Sequence, residues 1–183
     1  QLDIYPTICE VCGIDKPDWL EGQSFQSILE NKATPSRALY SEINYHAAYE
    51  PMRAVRLERY KYIRRFDNES TVILSNIDNC PEKTFLFENH CFDGIQYDSN
   101  ELYDLYKDPM EQHNVIDHIN YKNIQEEMEH LLEIWMYRTE DPLLSGFVQP
   151  PENAKVNCRS DYCAEDLITE DCERSGERRN EDV

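Results

Sequence analysis

The sequence predicts an α+β fold, a small antiparallel sheet of about four strands packed by a C-terminal helix. Two patterns predict it. Between residues 37 and 66, apolar and polar residues alternate in short runs, the period of half-buried strands. Between residues 119 and 138, apolar residues recur at three and four, the period of an amphipathic helix. Composition bounds the reading. The chain has 183 residues, 40% of them hydrophobic, with 12 tyrosines, which is material for a packed core. Its net charge is −19, from 18 Lys and Arg against 37 Asp and Glu. That surplus excludes nucleic-acid binders and binders of anionic membranes, because both need cationic patches. No apolar run approaches the roughly 20 residues that span a bilayer.

Each element has a local reason. Residues 3–14 read as a helix, largely apolar at Ile4, Ile8, Cys9, Val11 and Cys12, that stops at Gly13, a C′ glycine. Pro17–Gly22 reads as a loop. Ser24–Leu29 reads as a short helix capped by Ser24, with Phe25 and Ile28 on one face. Arg37–Ile43 alternates as a strand, with Ala38, Tyr40 and Glu42 opposite Leu39, Ser41 and Ile43. Met52–Leu57 and Tyr60–Phe66 flank a turn at Glu58-Arg59 and form a hairpin. Residues 71–100 read as a long irregular insertion with a short strand at Thr84–Phe87. Glu101–Leu105 supplies a further short strand or turn. In Ile119–Arg138 the apolar stripe is Ile124, Met128, Leu131, Leu132, Trp135 and Met136, while Glu126, Glu127, Glu129 and Glu133 fill a solvated face. Asp141-Pro142 blocks its continuation. These boundaries divide the chain into 1–36, 37–150 and an acidic, flexible tail at 151–183.

The seven cysteines (9, 12, 80, 91, 158, 163 and 172) are an odd number, which leaves one thiol unpaired unless it bonds another chain. Cys9 and Cys12 form a CxxC without the second ligand pair that a zinc site needs, so both read as small buried hydrophobes. Cys158, Cys163 and Cys172 could form a disulfide or bind metal, but their spacing matches no metal motif. Asn68-Glu69-Ser70 is a glycosylation sequon. The five histidines (46, 90, 113, 118 and 130) form no metal run, and no phosphate-binding glycine motif is present.

The densest polar stretch runs from Glu42 to Arg56. Around a strand–loop–strand it gathers Glu42, Tyr45, His46, Tyr49, Glu50, Arg53 and Arg56. A guanidinium suits bidentate recognition of carboxylate or sulfate oxygens, and an imidazole and a phenol can bond sugar hydroxyls. The competing reading is an ordinary hairpin laced with salt bridges.

Four groups of residues follow one another along the chain: Asp3-Ile4-Tyr5-Pro6-Thr7-Ile8 followed by Cys12-Gly13-Ile14 and Glu21-Gly22-Gln23-Ser24-Phe25; Tyr40-Ser41-Glu42 with Met52-Arg53-Ala54-Val55-Arg56; Glu101-Leu102-Tyr103-Asp104-Leu105 with Asp108-Pro109; and Trp135-Met136 with Asp141-Pro142-Leu143-Leu144. In this order they resemble the sulfatase family of the alkaline-phosphatase-like superfamily. The last is similar to the end of N-sulfoglucosamine sulfohydrolase (sulfamidase)-like members. The resemblance covers residues 2–150 in order. It implies the C-terminal subdomain of an α/β sulfatase, with residues 1–36 ending the catalytic domain. It also implies an enzyme that hydrolyses sulfate esters or sulfamates, on a sugar, using calcium and a formylglycine.

The formylglycine arises in C/S-x-P-x-R. Ala33-Thr34-Pro35-Ser36-Arg37 imitates that motif, but a methyl group cannot become the aldehyde, and the flanks continue into the strand pattern. The nucleophile and metal ligands are therefore expected in an N-terminal catalytic domain in cis, and no catalytic or metal residue is assigned here. The chain opens at Gln1 without a leader, which reads as a fragment that is inactive alone and exposes an apolar face on the first helix. His46, Glu42, Tyr45 and Arg53 are the expected substrate-binding residues, because the matching segment borders the pocket mouth in the family. The alternatives are a phosphodiesterase or phosphonate hydrolase of the same superfamily, or a non-catalytic acidic interaction module. Bacterial cytoplasm, periplasm, secretion and lysosome all stay open.

Overall fold

The computed structural model describes residues 2–32, 37–67 and 69–166. Most of the Ala33–Arg37 imitation motif, Asn68 of the sequon, and Cys172 lie outside them. The chain divides into two compact units between Arg37 and Ala38.

The first unit contains α1 (Ile4–Cys12) and α2 (Gln26–Leu29). Gly13 ends α1 in the left-handed region at φ 65°, and the N–H groups of Gly13 and Ile14 close on Glu10 O and Cys9 O. Cys9 is buried, as the pattern predicts, but Cys12 is exposed. Thr7 ties the unit together: its hydroxyl donates to Asp3 O at 2.6 Å and accepts from Phe25 N–H at 3.1 Å. Asp3 accepts from Gln23 N–H at 2.8 Å and pairs with Arg37. Gly22 passes so close to this corner that a Cβ would lie 2.0 Å from Leu2 O. Helix α2 starts later than Ser24 capping implies. Phe25 occupies the cap position, and the Ser24 hydroxyl accepts from Gln26 N–H at 3.2 Å instead.

The second unit holds an antiparallel sheet in the order β1 (Leu39–Tyr45), β2 (Tyr49–Arg56), β3 (Tyr60–Arg65), β4 (Asn100–Asp104). One row across it makes the core: Tyr40 faces Val55, Val55 faces Tyr62, and Tyr62 faces Leu102. Helix α4 (Lys122–Arg138) lays Met128, Leu132 and Met136 over that row, and Leu143 completes the cluster. Tyr40 stacks flat on Trp135, with centroids 5.0 Å apart. The glutamates predicted for the solvated face lie off this seam, and only Glu129 reaches inward, with Oε1 at 3.4 Å from the Tyr62 hydroxyl.

The insertion holds a helix where a strand is expected. Thr84–Phe87 falls inside α3 (Pro81–Glu88). Pro81 at its first turn and the Cys80 side chain, which accepts from Lys83 N–H at 3.4 Å, start the helix. Lys83 is buried on it at 2% exposure, and its ammonium is shared among Ile77 O, Asn79 Oδ1 and Tyr162 O. That last bond fixes a part of the predicted tail. Arg159 adds a 2.7 Å pair to Asp67, and Asn157 forms a parallel bridge with Ala48. Cys158 is disulfide-bonded. No described helix is long and apolar enough to cross a membrane.

Candidate functional site

The four expected site residues fall on the β1–β2 hairpin, Tyr45 and His46 at its turn and Glu42 and Arg53 opposite each other in mid-strand. A register shift between Ile43 and Tyr45 lifts the end of β1 out of regular pairing, and Tyr45 then faces Tyr49. This bulge carries His46 to the tip, where it is exposed. Its backbone N–H donates to Ala48 O at 3.3 Å, and among the described residues its imidazole has no hydrogen-bond partner. Glu42 keeps its side chain 60% exposed, with its carboxylate 3.8 Å from Arg53 Nε.

Tyr45 is half-buried. Its hydroxyl donates to Val148 O at 2.7 Å. Burial, with the neighbouring Tyr49 phenol, pushes its pKa up to about 12, so the group stays protonated. With its proton committed to Val148, the oxygen retains only accepting capacity. The Tyr45 ring packs on Tyr49 at 4.8 Å, and Tyr49 packs on Phe147 at 4.6 Å.

Arg53 is fully buried and does not reach the surface. The alternation of β2 puts Pro51, Arg53 and Val55 on the face under Leu143, so Arg53 points into the interior. Its Nε and Nη2 clasp Asp141 at 2.5 and 3.0 Å, Nη1 donates to Ile43 O and Met52 O, and Nη2 also reaches Asn44 Oδ1. Every guanidinium N–H is thus taken. In this arrangement Arg53 positions the hairpin rather than contacting a ligand. Desolvation pushes the Asp141 carboxyl up, but the Arg53 bonds, Leu143 N–H and the Arg53 charge outweigh it and hold the pKa below the ordinary value.

The sequence does not single out Asp141, Asn76, Glu50 or Asn157 as braces of this turn, although Glu50 lies in the polar stretch and Asp141 in the Asp141–Leu144 match, because each meets its partner far along the chain. Among the described residues no group of three or more His, Cys, Asp or Glu side chains converges to hold a metal ion.

A four-stranded antiparallel sheet backed by one helix, following a small helical unit, is the architecture of the C-terminal subdomain of sulfatases. A solved 2-O GAG sulfatase shares it with a TM-score of 0.56 at 26% identity, over 80% of this chain and 26% of that one. A solved structure from Bacteroides thetaiotaomicron shares the fold with a TM-score of 0.58 at 24% identity, over 90% of this chain and 31% of that one. Residues 1–89 match the family described as N-sulphoglucosamine sulphohydrolase, C-terminal. In sequence and fold the chain is similar to the C-terminal part of sulfatases. Among curated relatives it is 32% identical, over 81% of its length, to an ulvan-active sulfatase of Formosa agariphila. It is 28% identical, over 87%, to a Delta 4,5-hexuronate-2-O-sulfatase of Bacteroides thetaiotaomicron. The chain spans 31% and 27% of these two relatives.

Proposed function

We propose that the protein to which this chain contributes hydrolyses a sulfate ester or sulfamate on a sugar, and that this chain supplies part of the sugar-binding wall. The observation that carries the reading is kinship across most of the chain with sulfatases named for ulvan and for a hexuronate 2-O-sulfate. The turn supports it with complementary chemistry. His46 offers an exposed donor or acceptor, Tyr45 an acceptor, and Glu42 an accessible carboxylate, which together suit a ring bearing several hydroxyls. Arg53 holds the two strands that present them. Calcium and formylglycine, which the kinship implies for the complete enzyme, would supply the charge that stabilises the sulfate oxygens and the nucleophile that attacks sulfur, with the sugar as leaving group. Both belong with the N-terminal catalytic domain.

The test is His46→Ala in the complete enzyme. The expected result is a kcat/KM on a sulfated oligosaccharide lower by roughly tenfold, carried mainly by KM, with an unchanged melting temperature. Equal activity of variant and parent would overturn the assignment of His46.

A further inference from the structure

The turn that carries His46 is short of internal hydrogen bonds, and residues from outside the hairpin make up the difference. Ala47 N–H and Ala48 N–H both donate to one atom, Asn76 Oδ1, at 2.9 and 2.8 Å. Two successive N–H groups aimed at one acceptor form a nest, a concavity that attracts partial negative charge. Asn76 is set by its other arm, since Nδ2 donates to Glu50 Oε2 at 2.9 Å. Glu50 is set in turn by Arg65, whose Nη1 donates to Oε1 at 3.1 Å. On the opposite side, Ala47 O accepts from Asn157 N–H at 2.9 Å, and Asn157 braces its own segment through Asp161 Oδ2 and Cys163 O. Ala48, between the two supports, is fully buried.

His46 therefore owes its place to groups that do not touch its ring. We propose that Asn76 is a positioning residue for His46, gripping the turn in its nest while the segment at Asn157 holds the far side, so that the imidazole meets the substrate sugar at a fixed point. This rests on the reading of His46 as a sugar contact. The relay is Arg65 to Glu50 to Asn76 to the turn, and its polarity is defined: Glu50 accepts, the Asn76 amide donates, and the Asn76 carbonyl accepts from the backbone.

That polarity makes the proposal testable by exchange of roles. In the complete enzyme, Asn76→Ala is expected to speed hydrogen exchange at Ala47 and Ala48. It is also expected to lower kcat/KM on a sulfated oligosaccharide by up to roughly tenfold, no more than His46→Ala itself, chiefly through KM, because misplacing a contact by about 1 Å forfeits most of what it contributes. Asn76→Asp alone sets two carboxylates against each other and should be similarly impaired. Asn76→Asp combined with Glu50→Gln restores an acceptor for the turn and a donor for the new carboxylate, and should recover both activity and slow exchange. Unchanged exchange in Asn76→Ala, or no recovery in the double variant, overturns the proposal. If exchange quickens while kcat/KM holds, and His46→Ala remains impaired, positioning is refuted and the sugar contact stands. If His46→Ala is itself harmless, the sugar contact falls and the positioning role falls with it.

Discussion

A carboxylate tucked under a guanidinium shows how much one residue ties together. Asp104, at the end of β4, accepts from Arg59 Nε at 2.9 Å and Nη2 at 2.7 Å, and from the Tyr121 hydroxyl at 3.2 Å. The Arg59 hydrogen bonds are the chief reason its pKa falls to about 2, against burial, with the Arg59 charge, Tyr121 and Lys107 adding to them. Because the folded value is depressed, the stabilisation is present above the unfolded value near 3.8 and is lost as pH falls toward about 2. Asp104→Asn should therefore lower stability at pH 7 and flatten its loss between about pH 4 and about pH 2, as chemical denaturation at several pH values would show. The expected cost is about 1 kcal/mol, well below the full value of the shift, because Arg59 is 41% exposed and screened. Arg53 and Asp141 are the contrasting case, a pair closed off from water, where deleting either partner strands a charge. The sequence places Arg53 in a polar stretch and so suggests a binding role. Its real partner lies 88 positions on, and no short-range pattern connects the two. The proposed contacts Glu42, Tyr45 and His46 can be nominated from sequence because they sit together on one hairpin.

At the scale of elements, the seam between α4 and the sheet is both the most readable and the most consequential. Its stripe reads directly as Met128, Leu132 and Met136, all of which are buried. Leu132→Ala should lose about 2–5 kcal/mol, the range for a truncated core leucine, whereas Ile134→Ala, half-exposed on the same helix, should change little. Urea denaturation of both variants checks the contrast. The hairpins read equally well, because alternation and the Glu58-Arg59 turn act within a few residues. Helix α3 does not. Its Thr84-Phe85-Leu86-Phe87 run has the β-branched and aromatic content of a strand, yet Phe85 and Phe87 remain exposed. Local capping and a buried Lys83, neither visible as hydrophobic periodicity, decide the outcome. The segment around Asn157 escapes for a similar reason. Its hold on the body runs through Lys83, Arg159 and one backbone bridge rather than through apolar side chains.

For the molecule as a whole, the proposed function implies a division of labour. The proposed sugar contacts lie on the β1–β2 hairpin, and the sulfate chemistry is assigned to the N-terminal catalytic domain. Residues 1–183 alone are expected to show no turnover of an aryl sulfate or of glucosamine N-sulfate with calcium supplied. Metal-dependent turnover above a buffer blank would refute this assignment of the chemistry to the N-terminal catalytic domain. The net charge of −19 suits that division, since an anionic substrate cannot be drawn in by the general surface and must be recognised locally.

The flat stack of Trp135 on Tyr40 has a spectroscopic consequence. The chain has two tryptophans, and each compact unit holds one. Trp19 is 72% exposed in the first unit, edge-to-face with Tyr5 at 6.0 Å between ring centroids, whereas Trp135 is half-buried against the sheet of the second. Their emission is separable, red-shifted for the wet indole and blue-shifted for the packed one. A Trp19→Phe variant, excited to the red of tyrosine absorption, would leave Trp135 as the one emitting residue and report the melting of the sheet with no dye or tag attached.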